Sequence, residues 1–161
     1  MVIVIMGPAG AGKTTIGQAL AAELGWRFVD GDEAHPPGNI EKMHAGIPLT
    51  DADREPWLTA LHAIAAQAIG RGQPTVIACS ALKERYRQLL RGGLDPVRFV
   101  YLQATEAVLQ RRLAERASHF FNPALLATQL AALEEPADAL LVDATWPPAR
   151  ILGAIRYELG V

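Results

Sequence analysis

Eight residues near the amino end, Gly7-Pro8-Ala9-Gly10-Ala11-Gly12-Lys13-Thr14, have the types and spacing needed to hold a row of phosphates. Glycines let a backbone curl until its N–H groups point inward at phosphate oxygens. A helix starting at such a turn adds about half a positive charge at its mouth. Lys13 can reach β- and γ-phosphates, the Thr14 hydroxyl can ligate Mg²⁺, and the nucleotide-contacting stretch extends to Thr15. No Asn-Lys-x-Asp segment, the usual guanine reader, occurs in the chain, so ATP is expected rather than GTP.

A second group of residues suits an acceptor. Asp30 and Asp32 are two apart, and in an extended segment both would face the same way. One could hold Mg²⁺ through water while the other takes a proton from an attacking hydroxyl; an ordinary Asp-Gly turn explains the pair equally well. The stretch from Glu33 to Met43 is polar, broken by Pro36-Pro37 and long for a connection, which suits function. Within it His35 and Lys42 are either donors to a hydroxylated substrate or plain solvated residues. Arg54 falls in the first turn of a helix, where a cation is disfavoured unless an anion is present, and this points to a substrate carboxylate. Ser80 is a good helix N-cap, Cys79 suits a small buried position, and Lys83, Tyr86 and Arg87 face either the site or solvent. Arg112 and Arg116 share one helix face without an acid four residues on. Followed by His119-Phe120-Phe121, they suit a flap that closes over ATP and excludes water.

The elements that must position these residues alternate. Val2–Met6 is an apolar run of the kind that forms a strand buried on both faces. A helix is expected from Lys13 to Leu24, a strand at 27–29, a helix at 51–69 and a strand at 74–79. Further helices are expected at 83–91, 105–116, up to 135 and after Pro147-Pro148, with strands at 97–102 and 139–142. Strands separated by helices make a parallel sheet with right-handed crossovers, and ligands gather at the carboxyl ends of its strands. Gly7, Asp30 to Asp32 and Cys79-Ser80 all fall at such ends.

Composition narrows the partners. The chain has 161 residues, half of them hydrophobic, a fifth charged, and a net charge of −2, so one domain with a real core is expected. That charge gives no long-range pull toward nucleic acid or an anionic membrane. No apolar run approaches the roughly 20 residues of a membrane span. One cysteine fits a reducing compartment, so a cytoplasmic protein is expected.

With these residues on the page, the chain resembles the thermoresistant gluconokinases, relatives of shikimate kinase within the nucleoside-monophosphate-kinase-like group of P-loop folds. Gly7 to Thr14, Asp30-Gly31-Asp32, His35-Pro36 and Asn39-Ile40-Glu41-Lys42-Met43 carry the likeness. So do Gly46-x-Pro48-Leu49-Thr50-Asp51-x-Asp53-Arg54-x-Pro56-Trp57-Leu58, Cys79 to Lys83 with Tyr86-Arg87, Arg112-Leu113-x-x-Arg116-x-x-His119-Phe120 and Leu125-Leu126-x-x-Gln129. The resemblance implies an α/β fold: a five-stranded parallel sheet of order 2-3-1-4-5 in one domain, with a lid near 112–123. It implies Mg²⁺-dependent transfer of the ATP γ-phosphoryl group to the 6-hydroxyl of D-gluconate. Lys13, Asp32 and Arg112 would be catalytic, with Asp32 at the acceptor hydroxyl, Arg54 at the carboxylate and Arg112 near ATP. His35, Lys83, Arg116, His119 and Gln129 would bind substrate, and Thr14 and Asp30 the metal. A homodimer is allowed. A kinase for another hydroxy acid such as shikimate, and a nucleotide-dependent switch without an acceptor, remain the rival readings.

Overall fold

The computed structural model describes residues 1–116 and 123–161. Its centre is β1 (Val2–Met6), whose five residues are all fully buried. Parallel partners flank it on both sides: β3 (Thr75–Ala78) with Val2 opposite Thr75, and β4 (Val97–Gln103) with Val2 opposite Val97. Outside these lie β2 (Arg27–Asp30) and β5 (Leu140–Asp143), giving the order β2-β3-β1-β4-β5 that the resemblance implies.

Side-chain alternation divides the core. Ile3 and Ile5 face one layer with α1 (Lys13–Leu24), α5 (Glu106–Glu115), α6 (Pro123–Ala132) and α7 (Pro148–Leu159), through Ile16, Leu20, Leu109, Leu126 and Ile155. Val2, Val4 and Met6 face the other with α3 (Asp51–Gly70) and α4 (Glu84–Arg91), through Trp57, Leu58, Leu61, Tyr86 and Leu90. Each such side chain contributes about 1.5–3 kcal/mol when fully buried. A one-residue slip of β1 would exchange its two faces, so this packing fixes the register that aims the phosphate loop. No helix among the described residues is long and apolar enough to cross a membrane.

Three local expectations are corrected. After β2 the chain does not stay extended: Gly31–Ala34 forms a 3-10 turn, capped by Asp30 Oδ1, which accepts from the Asp32 amide at 3.1 Å. The polar stretch beyond it contains α2 (Pro37–His44), which buries only Asn39 and so shows no apolar face to a periodicity reading. Ser80 is not an N-cap; α4 starts at Glu84 with Lys83 before it, and Ala81 sits in the left-handed region at φ 43°. The reason is Arg87, buried and not facing site or solvent, which donates to the carbonyls of Ala81 (3.0 Å) and Leu82 (3.1 Å) and pairs with Glu84 at 2.8 Å. Tyr86 is buried as well.

Gly31 shows how tightly the 3-10 turn is pressed on the sheet. A Cβ there would collide with the backbone carbonyl of Ala78, which has no flexible end to move aside. Gly153, exposed on α7, meets nothing within 4 Å. Gly31→Ala should therefore cost about 2 kcal/mol, as overpacking does, and lower the melting temperature by about 4–8 °C for a chain of this size. Gly153→Ala should raise stability by about 0.5–1 kcal/mol through helix propensity. Calorimetric melting of both variants checks this; equal behaviour of the two would remove the close approach at Gly31.

Candidate active site

The loop between β1 and α1 curls through Gly7 (φ 145°), Gly10 (φ 84°) and Gly12 (φ 98°), angles that side chains with a Cβ rarely adopt. Its exit is the α1 N-terminus, where Gly12 has no capping side chain. The opening-turn amides thus point their positive ends outward. Lys13 folds back over the loop, its Nζ donating to Pro8 O at 3.1 Å. Burial lowers its pKa, while Asp32 is the leading influence that raises it. An arriving phosphate would supply the counter-charge that burial withholds.

An open cavity of about 700 Å³ lies against this loop at the carboxyl ends of the strands. Lys13, Thr14, Asp30, Asp32, His35 and Arg54 all line it. The Thr14 hydroxyl donates to Asp30 Oδ2 at 3.2 Å. Asp32 reaches the cavity from the 3-10 turn, which Trp57 pins by donating from Nε1 to Gly31 O at 2.7 Å. His35 stacks on the same indole, with ring centroids 4.1 Å apart. Arg54 donates to Leu49 O and lies 5.5 Å from the centre of the Tyr86 ring. Arg116 and Gln129 also line the cavity. Gln129 Oε1 accepts from the Ala9 amide at 2.7 Å, thereby occupying one donor of the phosphate loop.

Other expected residues lie elsewhere. Lys83 is not among the lining residues; it is paired with Asp51 at 3.0 Å, and that hydrogen bond is the main cause of its raised pKa. Lys42 is likewise outside the lining and pairs with Asp53. Arg112 donates to the loop carbonyls of Gly10 (3.5 Å) and Ala11 (3.3 Å) and to Ala144 O at 2.6 Å. His119, with the rest of 117–122 in the expected lid, falls outside the described residues. Cys79 is buried, and burial pushes its thiol up to about 12, so it does not supply a thiolate.

A second cleft of about 340 Å³ adjoins the loop on its far side, lined by Thr15, Arg112, Arg116 and Trp146 among others. Arg150 lies 3.8 Å over the Trp146 ring. Sequence reasoning missed this cleft, although Thr145-Trp146-Pro147 follows the last strand, where ligands are expected in a parallel sheet. Trp57 both lines the main cavity and pegs the 3-10 turn, a double role that depends on tertiary contacts and not on local sequence. The arrangement brings phosphate donors, hard oxygen ligands and an acid–cation pair to one cavity, a set that suits phosphoryl transfer to a hydroxyl.

Comparison with known proteins agrees with that chemistry. A family model described as an AAA domain matches residues 2–136. The chain is 48% identical over 136 residues to a gluconokinase of Gluconobacter oxydans, covering 84% of this chain and 76% of that protein. It is 43% identical over 150 residues to the thermoresistant gluconokinase of Escherichia coli, covering 91% and 86%. The crystal structure of a gluconokinase from Sinorhizobium meliloti superposes with a TM-score of 0.88 at 43% identity, covering 99% of this chain and 91% of that one.

The wall behind His35 depends on Asp53, which accepts from Lys42 and from the Thr50 amide, each at 2.8 Å. The Lys42 hydrogen bond first, then the Thr50 amide, hold its carboxyl down to about 2 from the usual 3.8. A carboxyl whose folded pKa lies below the unfolded one stabilises the fold above the unfolded value and loses that contribution as pH falls through the folded value. The window here runs from 3.8 down to about 2. Lys42→Met should therefore lower the urea midpoint at neutral pH and converge on the parent at the acid end of that window. A gap of equal size at both ends would remove the pair from the stability of this wall.

Proposed function

The chain belongs to the gluconokinase family of P-loop kinases, and we propose that it transfers the γ-phosphoryl group of ATP to the 6-hydroxyl of D-gluconate, yielding 6-phospho-D-gluconate and ADP. One observation carries the site assignment: a single cavity is lined by the phosphate-loop residues Lys13 and Thr14 and by Asp32, His35 and Arg54 on the acceptor side. In this reading the loop amides and Lys13 hold the β- and γ-phosphates and stabilise charge on the group in flight. Asp32, exposed and carried on the pinned turn, accepts the proton of the attacking hydroxyl. Arg54 binds the carboxylate at the other end of the acceptor, which fixes which hydroxyl meets the phosphate. Arg112 and Arg116 supply cations on the nucleotide side, and Gln129 gives up the Ala9 amide when phosphate arrives.

Thr14 and Asp30 fit a magnesium ion. Both offer oxygen, they lie within 3.2 Å of each other at the loop mouth, and no group of three or more His, Cys, Asp or Glu that could hold a metal occurs among the described residues. Magnesium commonly takes one or two protein oxygens and leaves its other positions to phosphates and water. Thr14 and Asp30 would hold the ion, and its positive charge would offset the negative charge of the transferring phosphoryl group. We place the reaction in the cytoplasm, where a lone thiol such as Cys79 stays reduced.

Coupled measurement of ADP release tests this reading. Gluconate should stimulate release and shikimate should not; stimulation by neither would leave only a nucleotide switch. Lys13→Ala should lower turnover by roughly 10²-fold or more, the scale of a lost preorganised charge. Asp32→Asn should keep ATP binding and lose about 10²–10⁴-fold in transfer. Arg54→Ala should chiefly raise the gluconate KM, and an unchanged KM would take Arg54 out of the acceptor site.

A further inference from the structure

The contact between Asn39 and His35 has a polarity that can be worked out atom by atom. Asn39 is buried in α2, and its Nδ2 lies 2.8 Å from the backbone carbonyl of Asp53. A carbonyl only accepts, so the amide must present its nitrogen there, and the orientation of the side chain is settled. The same nitrogen lies 3.2 Å from His35 Nδ1. An amide nitrogen only donates, so Nδ1 must be a bare acceptor, and a neutral imidazole with a bare Nδ1 carries its hydrogen on Nε2.

The rest of the surroundings keep the ring uncharged and aimed. His35 is 8% exposed and flat against Trp57. Burial lowers its pKa; of the charged groups facing it, Asp32 from the 3-10 turn opposes that shift and Arg54 from α3 adds to it. The nearby Lys42 ammonium is engaged by the Asp53 carboxylate. No buried side-chain nitrogen or oxygen among the described residues lacks a hydrogen-bond partner, and none of those residues bonds Nε2. Nε2 is therefore open to the cavity that His35 lines.

We propose that Asn39 is a positioning residue that holds His35 as a fixed, neutral Nε2–H donor to an oxygen of the sugar-acid acceptor. This rests on the acceptor reading of the cavity given above. It has a chemical consequence: the one lone pair of the ring is engaged by Asn39, so His35 cannot take the hydroxyl proton, and that task is left to Asp32. It also bears on selection, because a buried donor left without its oxygen penalises analogues that lack a hydroxyl at that point.

Nitrogen-15 correlation spectra of the full chain near neutral pH, without substrate, read the tautomer directly. His35→Phe, which keeps a flat ring on Trp57, identifies the His35 signals. A proton on Nε2 and a bare Nδ1 are expected; a proton on Nδ1 overturns the proposal. In Asn39→Asp the new carboxylate can only accept, so the His35 proton should move to or be shared with Nδ1. The gluconate KM should then rise roughly three- to tenfold, the worth of one neutral hydrogen bond, and gain a pH dependence while the ATP KM stays put. A gluconate KM equal to the parent's at every pH overturns it. Should Asn39→Asp fail to fold, the parent spectrum and the gluconate KM of His35→Phe decide, the latter being expected to rise by the same factor with the ATP KM unchanged. The tautomer is read without acceptor, so its failure leaves gluconate as the substrate untouched. Indifference to gluconate would likewise leave the tautomer standing.

Discussion

The arrangement depends on the way the phosphate loop's main-chain groups are partnered between β1 and α1. Its ends are tied: the Gly7 amide donates to Ser80 O at 3.3 Å and the Ala11 amide to Pro8 O at 3.2 Å. Its carbonyls are held by cations, Pro8 O by Lys13 and those of Gly10 and Ala11 by Arg112. A peptide unit whose carbonyl is drawn to one side must turn its N–H to the other. The cations thus shape the loop as well as charging it. That is preorganisation in the electrostatic sense: the donors are set before any phosphate arrives, and little reorganisation remains for the moment of transfer.

The acceptor side is built differently, by stacking one element on the next. The Thr50–Asp53 capping box starts α3, Asp53 holds Lys42 and, through its carbonyl, Asn39, and Asn39 holds His35. Trp57, one turn further along α3, supports both His35 and the turn bearing Asp32. A single helix therefore sets the acceptor donor, the proposed base and, at Arg54, the proposed carboxylate site. Displacement of α3 by an ångström would move all three together, whereas the phosphate loop is anchored to the sheet.

Much of this could be read from residue order, and the gaps have physical causes. Gly7 to Thr14 announces itself because glycine spacing and an adjoining apolar strand are local properties. The same locality served β1 and α1, whose bounds of 2–6 and 13–24 match the expectation. Failure came where a tertiary partner decides the backbone. α2 exists on the strength of one buried amide, and Pro36-Pro37 reads as a breaker although Pro37 in fact opens the helix. Ser80 carries every local mark of a cap, yet Arg87, seven residues on, draws the Ala81 and Leu82 carbonyls to itself and delays the helix. The Trp146 cleft needed the knowledge that β5 ends beside the phosphate loop, which spacing along the chain does not contain.

Charge placement explains why Arg54, among several basic candidates, suits a carboxylate. Lys42 and Lys83 each face an acidic side chain, Asp53 and Asp51, and Arg112 is engaged by three carbonyls. Arg54 has no acidic partner among the described residues; a backbone carbonyl and the Tyr86 ring hold it instead. Those contacts orient a guanidinium without neutralising it. Tyr86 is itself fixed, its hydroxyl donating to Asp51, which Lys83 also engages. The lysine expected at the substrate thus acts one step behind it, steadying the ring on which the arginine lies. A cation kept oriented, half-buried and without a counter-ion is most strongly stabilised by an anion that enters the cavity. The helix dipole sharpens the effect, since Arg54 sits in the first turn of α3, whose own N-terminus repels it and would attract the same anion.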